Sequence, residues 1–234
     1  MNKLKRMLSI IICVFSFNLK ASANITSLNI VCYGDSNTQG FYGNTYTDVE
    51  LENSYPGIAN NICKEFKNIA NAKFIRKGNP GGTSSDAITR FDEQVKLSDA
   101  NVVILGWGTN DIRENSDYTN YINNMEILIK KSLDLKATPI VLSIPDFSET
   151  YAGEGEKGLA AKARIKVWNK KLYDLCMKYN IKYIDTYAMF NNSIIDNHTI
   201  WYNDTPWRHF SKYANQMIAY KICELLNSEY RINN

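Results

Sequence analysis

A serine, Ser36, stands between Asp35 and Asn37, directly after the apolar run Ile30-Val31-Cys32-Tyr33 and Gly34. A buried strand that stops at a polar turn holding a serine is either ordinary punctuation or the seat of a nucleophile. A serine hydroxyl attacks a carbonyl only when a base takes its proton. The chain has 2 histidines, so few of its groups titrate near neutral pH. His209 is the better candidate for the base, because it lies just before a helical pattern that opens on Ser211, a residue type that caps helices. His198, in Asp196-Asn197-His198, reads as a solvated side chain. Acyl transfer also requires hydrogen-bond donors where negative charge develops on the carbonyl oxygen. Two further loops are rich in glycine and amide groups, Gly78-Asn79-Pro80-Gly81-Gly82-Thr83-Ser84 and Gly106-Trp107-Gly108-Thr109-Asn110-Asp111. Asp35 and Asp111 read as braces, since an aspartate beside a turn usually accepts backbone N–H groups and fixes the loop.

The elements that must carry these loops follow from periodicity. Strands are expected at residues 28–33, 73–77, 102–105, 140–144 and 181–184, and helices at 54–69, 85–96, 118–135, 158–179 and 211–226. Alternation of this kind predicts an α/β fold, a three-layer sandwich in which a mostly parallel five-stranded sheet is flanked by helices. Such sheets bind ligands beyond the carboxyl ends of their strands, which is where the serine and both glycine-rich loops fall.

In this order the motifs resemble the SGNH, or GDSL, hydrolase family. The resemblance rests on Gly34-Asp35-Ser36-Asn37, on Gly78, Gly81 and Thr83 in a G-x-x-G-x-T pattern, on Gly108-Thr109-Asn110-Asp111, and on His209. Ser54-Tyr55-Pro56 is similar to the aromatic-proline step that opens the family's first helix. The likeness runs from residue 28 to about residue 226. It implies a flavodoxin-like fold, a carboxylic ester hydrolase, and Ser36 as nucleophile with His209 as base. It also implies an oxyanion hole made by the Ser36 backbone N–H, Gly81 and the Asn110 side chain. No metal or other cofactor is expected, because no His/Cys/Asp cluster has ligand spacing.

One feature departs from the family pattern, which places an aspartate three residues before the histidine. Here that position is Pro206. Asp204 is the preferred acid, reaching His209 across a loop two residues longer. A backbone carbonyl could instead orient the imidazole in a Ser-His dyad, or Asp196 could come from the preceding loop.

The N-terminus predicts export. Lys3, Lys5 and Arg6 precede the apolar stretch Met7 to Phe17, and Ala21-Ser22-Ala23 gives a small-x-small cleavage site. Residues 1–23 are read as a signal peptide and 24–234 as a single SGNH hydrolase domain, periplasmic or extracellular. An uncleaved anchor is the competing reading, and the mature chain is expected to have no integral membrane segment. The net charge of +3 is too small to argue for nucleic acid. Cys32, Cys63, Cys176 and Cys223 are read as structural, with any pairing undetermined.

For substrate, Pro145 to Lys157 reads as a mobile polar loop able to cover the site. Trp107, Trp201, Tyr202 and Trp207 could stack on sugar rings or serve as packing. The expectation is an acetyl or short acyl ester, on a carbohydrate. The alternatives are a lysophospholipase or short-chain carboxylesterase, a carbohydrate acyltransferase, and a carbohydrate-binding protein on an inactive scaffold.

Overall fold

Leu28–Gly34 forms an interior strand, β1, and its side chains from Ile30 to Tyr33 are almost wholly buried. A continuous apolar run of this kind suits a parallel strand covered on both faces, as distinct from the alternating pattern of a half-solvated one. The computed structural model describes residues 27–40, 51–114, 116–147, 156–191, 198–203 and 209–230. The proposed signal peptide lies outside them.

β1 pairs in parallel with β2 (Ala72–Gly78) on one side and with β3 (Val102–Gly106) on the other. β4 (Thr138–Leu142) and β5 (Lys182–Ile184) complete a five-stranded parallel sheet in the order β2-β1-β3-β4-β5. The chain order reverses beside β1, which makes the β1/β3 edge the switch point where such folds place their ligands. In register, Gly34 aligns with both Gly78 and Gly106, so the three motif-bearing loops leave the sheet at one level. At Gly34 a β-carbon would come within 2.1 Å of the Thr38 hydroxyl and 2.5 Å of the Gly106 carbonyl. Glycine is therefore what lets the turn after β1 lie directly on the strand ends.

Helices cover both faces. After α1 (Ser36–Gln39) come α2 (Tyr55–Ile62), α3 (Ser84–Gln94), α4 (Thr109–Arg113), α5 (Tyr118–Asp134), α6 (Glu156–Lys178), α7 (Thr186–Asn191), α8 (His198–Trp201) and α9 (Lys212–Glu229). α9 opens on Ser211, whose hydroxyl accepts the Ala214 N–H at 3.1 Å, and buries Ile218, Ile222 and Leu226. Each such side chain contributes about 1.5–3 kcal/mol on leaving water. Among the described residues no helix is long and apolar enough to cross a membrane.

Among the boundaries that differ from the expected ones, two have a cause in side-chain contacts. β4 ends at Leu142 because the Asn169 side chain takes both Ile144 backbone groups, accepting its N–H at 2.9 Å and donating to its carbonyl at 2.8 Å. α2 ends at Ile62 and passes through a short 3₁₀ turn, Cys63–Glu65. Asn60 of α2 binds both backbone groups of Phe74, covering the open edge of β2, and Asn68 donates twice to Asn227 of α9, from its backbone N–H to Oδ1 and from its Nδ2 to the carbonyl. Asparagine side chains that pair with backbone in this manner compete with continued helix.

Among the described residues, Cys32, Cys63, Cys176 and Cys223 are buried and unpaired in the core. Burial pushes the Cys176 and Cys223 thiols up to about 12, so they act as small apolar groups, not nucleophiles.

Candidate active site

Ser36 opens α1, a single turn set on the glycine row. Asp35 caps it, its Oδ1 accepting the Asn37 N–H at 2.9 Å, and Gly40 ends it in a left-handed conformation with φ +86°. Asp35 is 2% exposed. Burial is the main force on its carboxyl, pushing it up to about 6; the Asn37 N–H, the Thr109 hydroxyl and nearby His209 pull it back, and Asp111 pushes it further up. As expected from the sequence, Asp35 braces the turn that carries the serine.

His209 reaches that turn from the far end of the chain. Its Nε2 lies 3.1 Å from Ser36 Oγ, across 173 residues of sequence. The imidazole is buried, and its backbone belongs to a short bridge in which Tyr202 pairs with Phe210 and the Asn203 N–H donates to the His209 carbonyl at 3.0 Å. Next to it the Phe210 N–H donates to Asn37 Oδ1, also at 3.0 Å. Sequence reading took Asn37 only as a letter of a motif. Its partner is too distant in the chain for any local signal to show it.

Gly81 sits in the loop after β2. Gly82 N–H donates to the Asn79 carbonyl at 3.0 Å, closing a four-residue turn with Pro80 second and Gly81 third at φ +73°. Those are the preferences of a type II turn. A β-carbon on Gly81 would meet nothing within 4 Å, so the backbone angle, not crowding, calls for glycine there. The Asn79 N–H anchors the turn to the Gly34 carbonyl at 2.8 Å.

The loop after β3 clamps this turn from the other side. Buried Asn110 donates through Nδ2 to the Gly82 carbonyl at 2.8 Å. Asp111 accepts the Ser84 N–H and hydroxyl, fixing the start of α3, and Asn124 donates to the same hydroxyl at 3.0 Å. Burial raises the Asp111 carboxyl, while the Ser84 contacts oppose the rise. Asp111 is thus a brace, as read. Three adjacent strand ends bring a serine hydroxyl, a glycine turn and a buried amide to one edge of the sheet, and the segment before α9 adds the imidazole.

A family model described as the GDSL-like lipase/acylhydrolase family matches residues 32–217. The chain belongs to this family. It is accordingly a carboxylic ester hydrolase of the SGNH/GDSL type. Comparison with curated proteins finds no sequence match. Among solved structures, a lipase/acylhydrolase from Enterococcus faecalis is 18% identical with a TM-score of 0.72, covering 88% of this chain and 99% of its own. The acetyl xylan esterase AlAXEase is 19% identical with a TM-score of 0.68, covering 85% and 100%. A catalytic mutant of an acetylxylan esterase from Geobacillus stearothermophilus is 16% identical with a TM-score of 0.67, covering 91% and 100%. At such identities these structures establish the shared SGNH fold.

Within this hydrolase fold the loop aromatics divide. Trp107 is buried edge-on against Tyr33, and Trp201 stacks on Phe190 with centroids 4.7 Å apart. Tyr202 is also buried. These three are packing groups, so the sugar-stacking reading does not hold for them. Sequence could not separate the cases, because a loop aromatic that packs inward looks the same as one that faces a ligand. Trp207 lies outside the described residues, as do Asp204, Pro206 and Asp196. Of the anticipated polar loop, Phe147 is buried, residues 148–155 lie outside the described set, and Glu156 and Lys157 already belong to α6. Among the described residues no group of three or more His, Cys, Asp or Glu side chains could hold a metal ion.

Proposed function

We propose that this hydrolase is an exported serine esterase that removes an acetyl or other short acyl group from a carbohydrate. The observation that carries the mechanism is the 3.1 Å contact between Ser36 Oγ and His209 Nε2. In this reading His209 takes the Ser36 proton as Oγ attacks the ester carbonyl carbon. The carbonyl oxygen, now negative, is held by the Ser36 and Gly81 backbone N–H groups and by the Asn110 amide. Nδ2 of Asn110 has two hydrogens, and its bond to the Gly82 carbonyl fixes the amide plane relative to the Gly81 turn. The tetrahedral adduct collapses, His209 passes its proton to the leaving alcohol, and an acyl-Ser36 ester remains. A water then gives its proton to His209 and its oxygen to the acyl carbon, and Ser36 is regenerated as the carboxylic acid leaves. Asp204 is assigned the part of orienting His209, holding the tautomer with Nε2 unprotonated.

The acetyl-carbohydrate choice is supported by the two acetylxylan esterases among the structural neighbours. Export is supported by the basic and apolar N-terminal segment with Ala21-Ser22-Ala23. A panel of nitrophenyl esters of rising acyl length, run beside acetylated polysaccharides and a lysophospholipid, tests the substrate. Release of acetate from the polysaccharide, with kcat/KM falling beyond short acyl chains, is the expected result. Preference for long chains or for the lysophospholipid would replace it with the lipolytic reading, and transfer to an added sugar would make the protein an acyltransferase.

A further inference from the structure

We infer that Asn37 is a positioning residue that sets the distance between the base and the nucleophile through the backbone beside His209. The inference rests on the Ser36–His209 mechanism proposed above. Two cross-links run side by side between the same two segments. Ser36 Oγ meets His209 Nε2 at 3.1 Å, and one residue along on each segment the Phe210 N–H donates to Asn37 Oδ1 at 3.0 Å. The second link is buried, Asn37 being 6% exposed.

Both ends of that second link are themselves fixed. The Asn37 N–H is held by Asp35 Oδ1 within the α1 turn. On the other side, the Phe210 carbonyl accepts Asn203 Nδ2 at 3.0 Å and Asn215 Nδ2 at 3.3 Å. Asn215 Oδ1 in turn accepts the Tyr55 N–H at the start of α2, at 2.9 Å. His209 belongs to neither the main sheet nor a helix, so its place depends on these side-chain contacts together with the short backbone bridge to Tyr202 and Asn203. Asparagine suits the position: serine would be too short to reach, leucine fills the volume without an acceptor, and aspartate keeps the acceptor but adds a charge next to Asp35. His209 must move a proton in both acylation and deacylation, and a small drift of the imidazole from Oγ would slow both.

The test compares wild type with Asn37→Ala, Asn37→Leu and Asn37→Asp. Steady-state turnover of a nitrophenyl acetate is measured beside the rate at which an organophosphonate labels Ser36, with folding checked by circular dichroism. Loss of the acceptor is expected to cut kcat by about a hundredfold, the size of effect that a misplacement near 1 Å produces. KM should stay within threefold, labelling should slow by a similar factor to kcat, and Asn37→Asp should stay within tenfold of wild-type kcat. A folded Ala or Leu variant that loses less than tenfold overturns the inference. So does an Asp variant as impaired as Leu, because the acceptor would then not be what matters. If neither Ala nor Leu folds, Asn37→Asp decides alone: kcat within tenfold of wild type supports the positioning role, and a greater loss overturns it. Wild-type protein that gains no adduct on Ser36 would overturn the serine mechanism itself, and the role of Asn37 with it.

Discussion

Replacing Asp35 with asparagine should make the fold more stable at neutral pH while slowing turnover. Asp35 is buried under the nucleophile turn, and its carboxyl is pushed from the ordinary 3.8 up to about 6, mainly by desolvation. In the unfolded chain it ionises at the ordinary value, so between 3.8 and about 6 the folded state holds a proton that the unfolded state has lost. Stability from this group is therefore greatest at low pH, falls as pH rises through that window, and reaches its full cost above it. At about 1.4 kcal/mol per decade, that cost is about 3 kcal/mol. Asparagine keeps an oxygen to accept the Asn37 N–H, and the charge assistance that a carboxylate adds to this bond is already contained in the net shift. The expected balance is a gain of about 3 kcal/mol at pH 7.5 that disappears by pH 4, read by urea unfolding at both values. Turnover should fall about tenfold, because the carboxylate attracts the imidazolium that forms as His209 takes the proton. A variant less stable than wild type at pH 7.5, or a stability difference that does not change with pH, would refute the reasoning.

Asp204→Asn should lower kcat by roughly a hundredfold or more with the fold intact if Asp204 orients His209, whereas a loss below tenfold beside an inactive His209→Ala would point to a dyad or to Asp196. Gly81→Ala meets no steric obstacle but places alanine at φ +73°, so it should cost about 1–2 kcal/mol of stability in a thermal melt. As the turn relaxes and its N–H turns from the carbonyl oxygen, kcat should drop about tenfold with KM little changed.

The sheet was legible because strands buried on both faces must be continuous apolar runs, and Ile30 to Tyr33 and Val102 to Leu105 are such runs. Their carboxyl ends told where chemistry would gather, and the structure brings Ser36 and His209 together there. What escaped depends on partners distant in the chain. The end of β4 is set by Asn169 and the end of α2 is accompanied by contacts of Asn60 and Asn68, none of which has a local signature. The single turns α1 and α4 are too short to show a helical period. Asn37 was visible as a residue but not as a contact, since Phe210 lies 173 positions away. Trp107 and Trp201 stayed open between stacking and packing for the same reason, because burial is decided by neighbours that periodicity does not reveal.

Mass spectrometry of the protein after reaction with an organophosphonate bears most directly on the central claim that Ser36 is the acylated nucleophile. One adduct per chain is expected, located on the Ser36 peptide, forming at a rate that collapses in His209→Ala, and absent from folded Ser36→Ala. An adduct retained in Ser36→Ala, or located on another serine in the wild type, would contradict that claim.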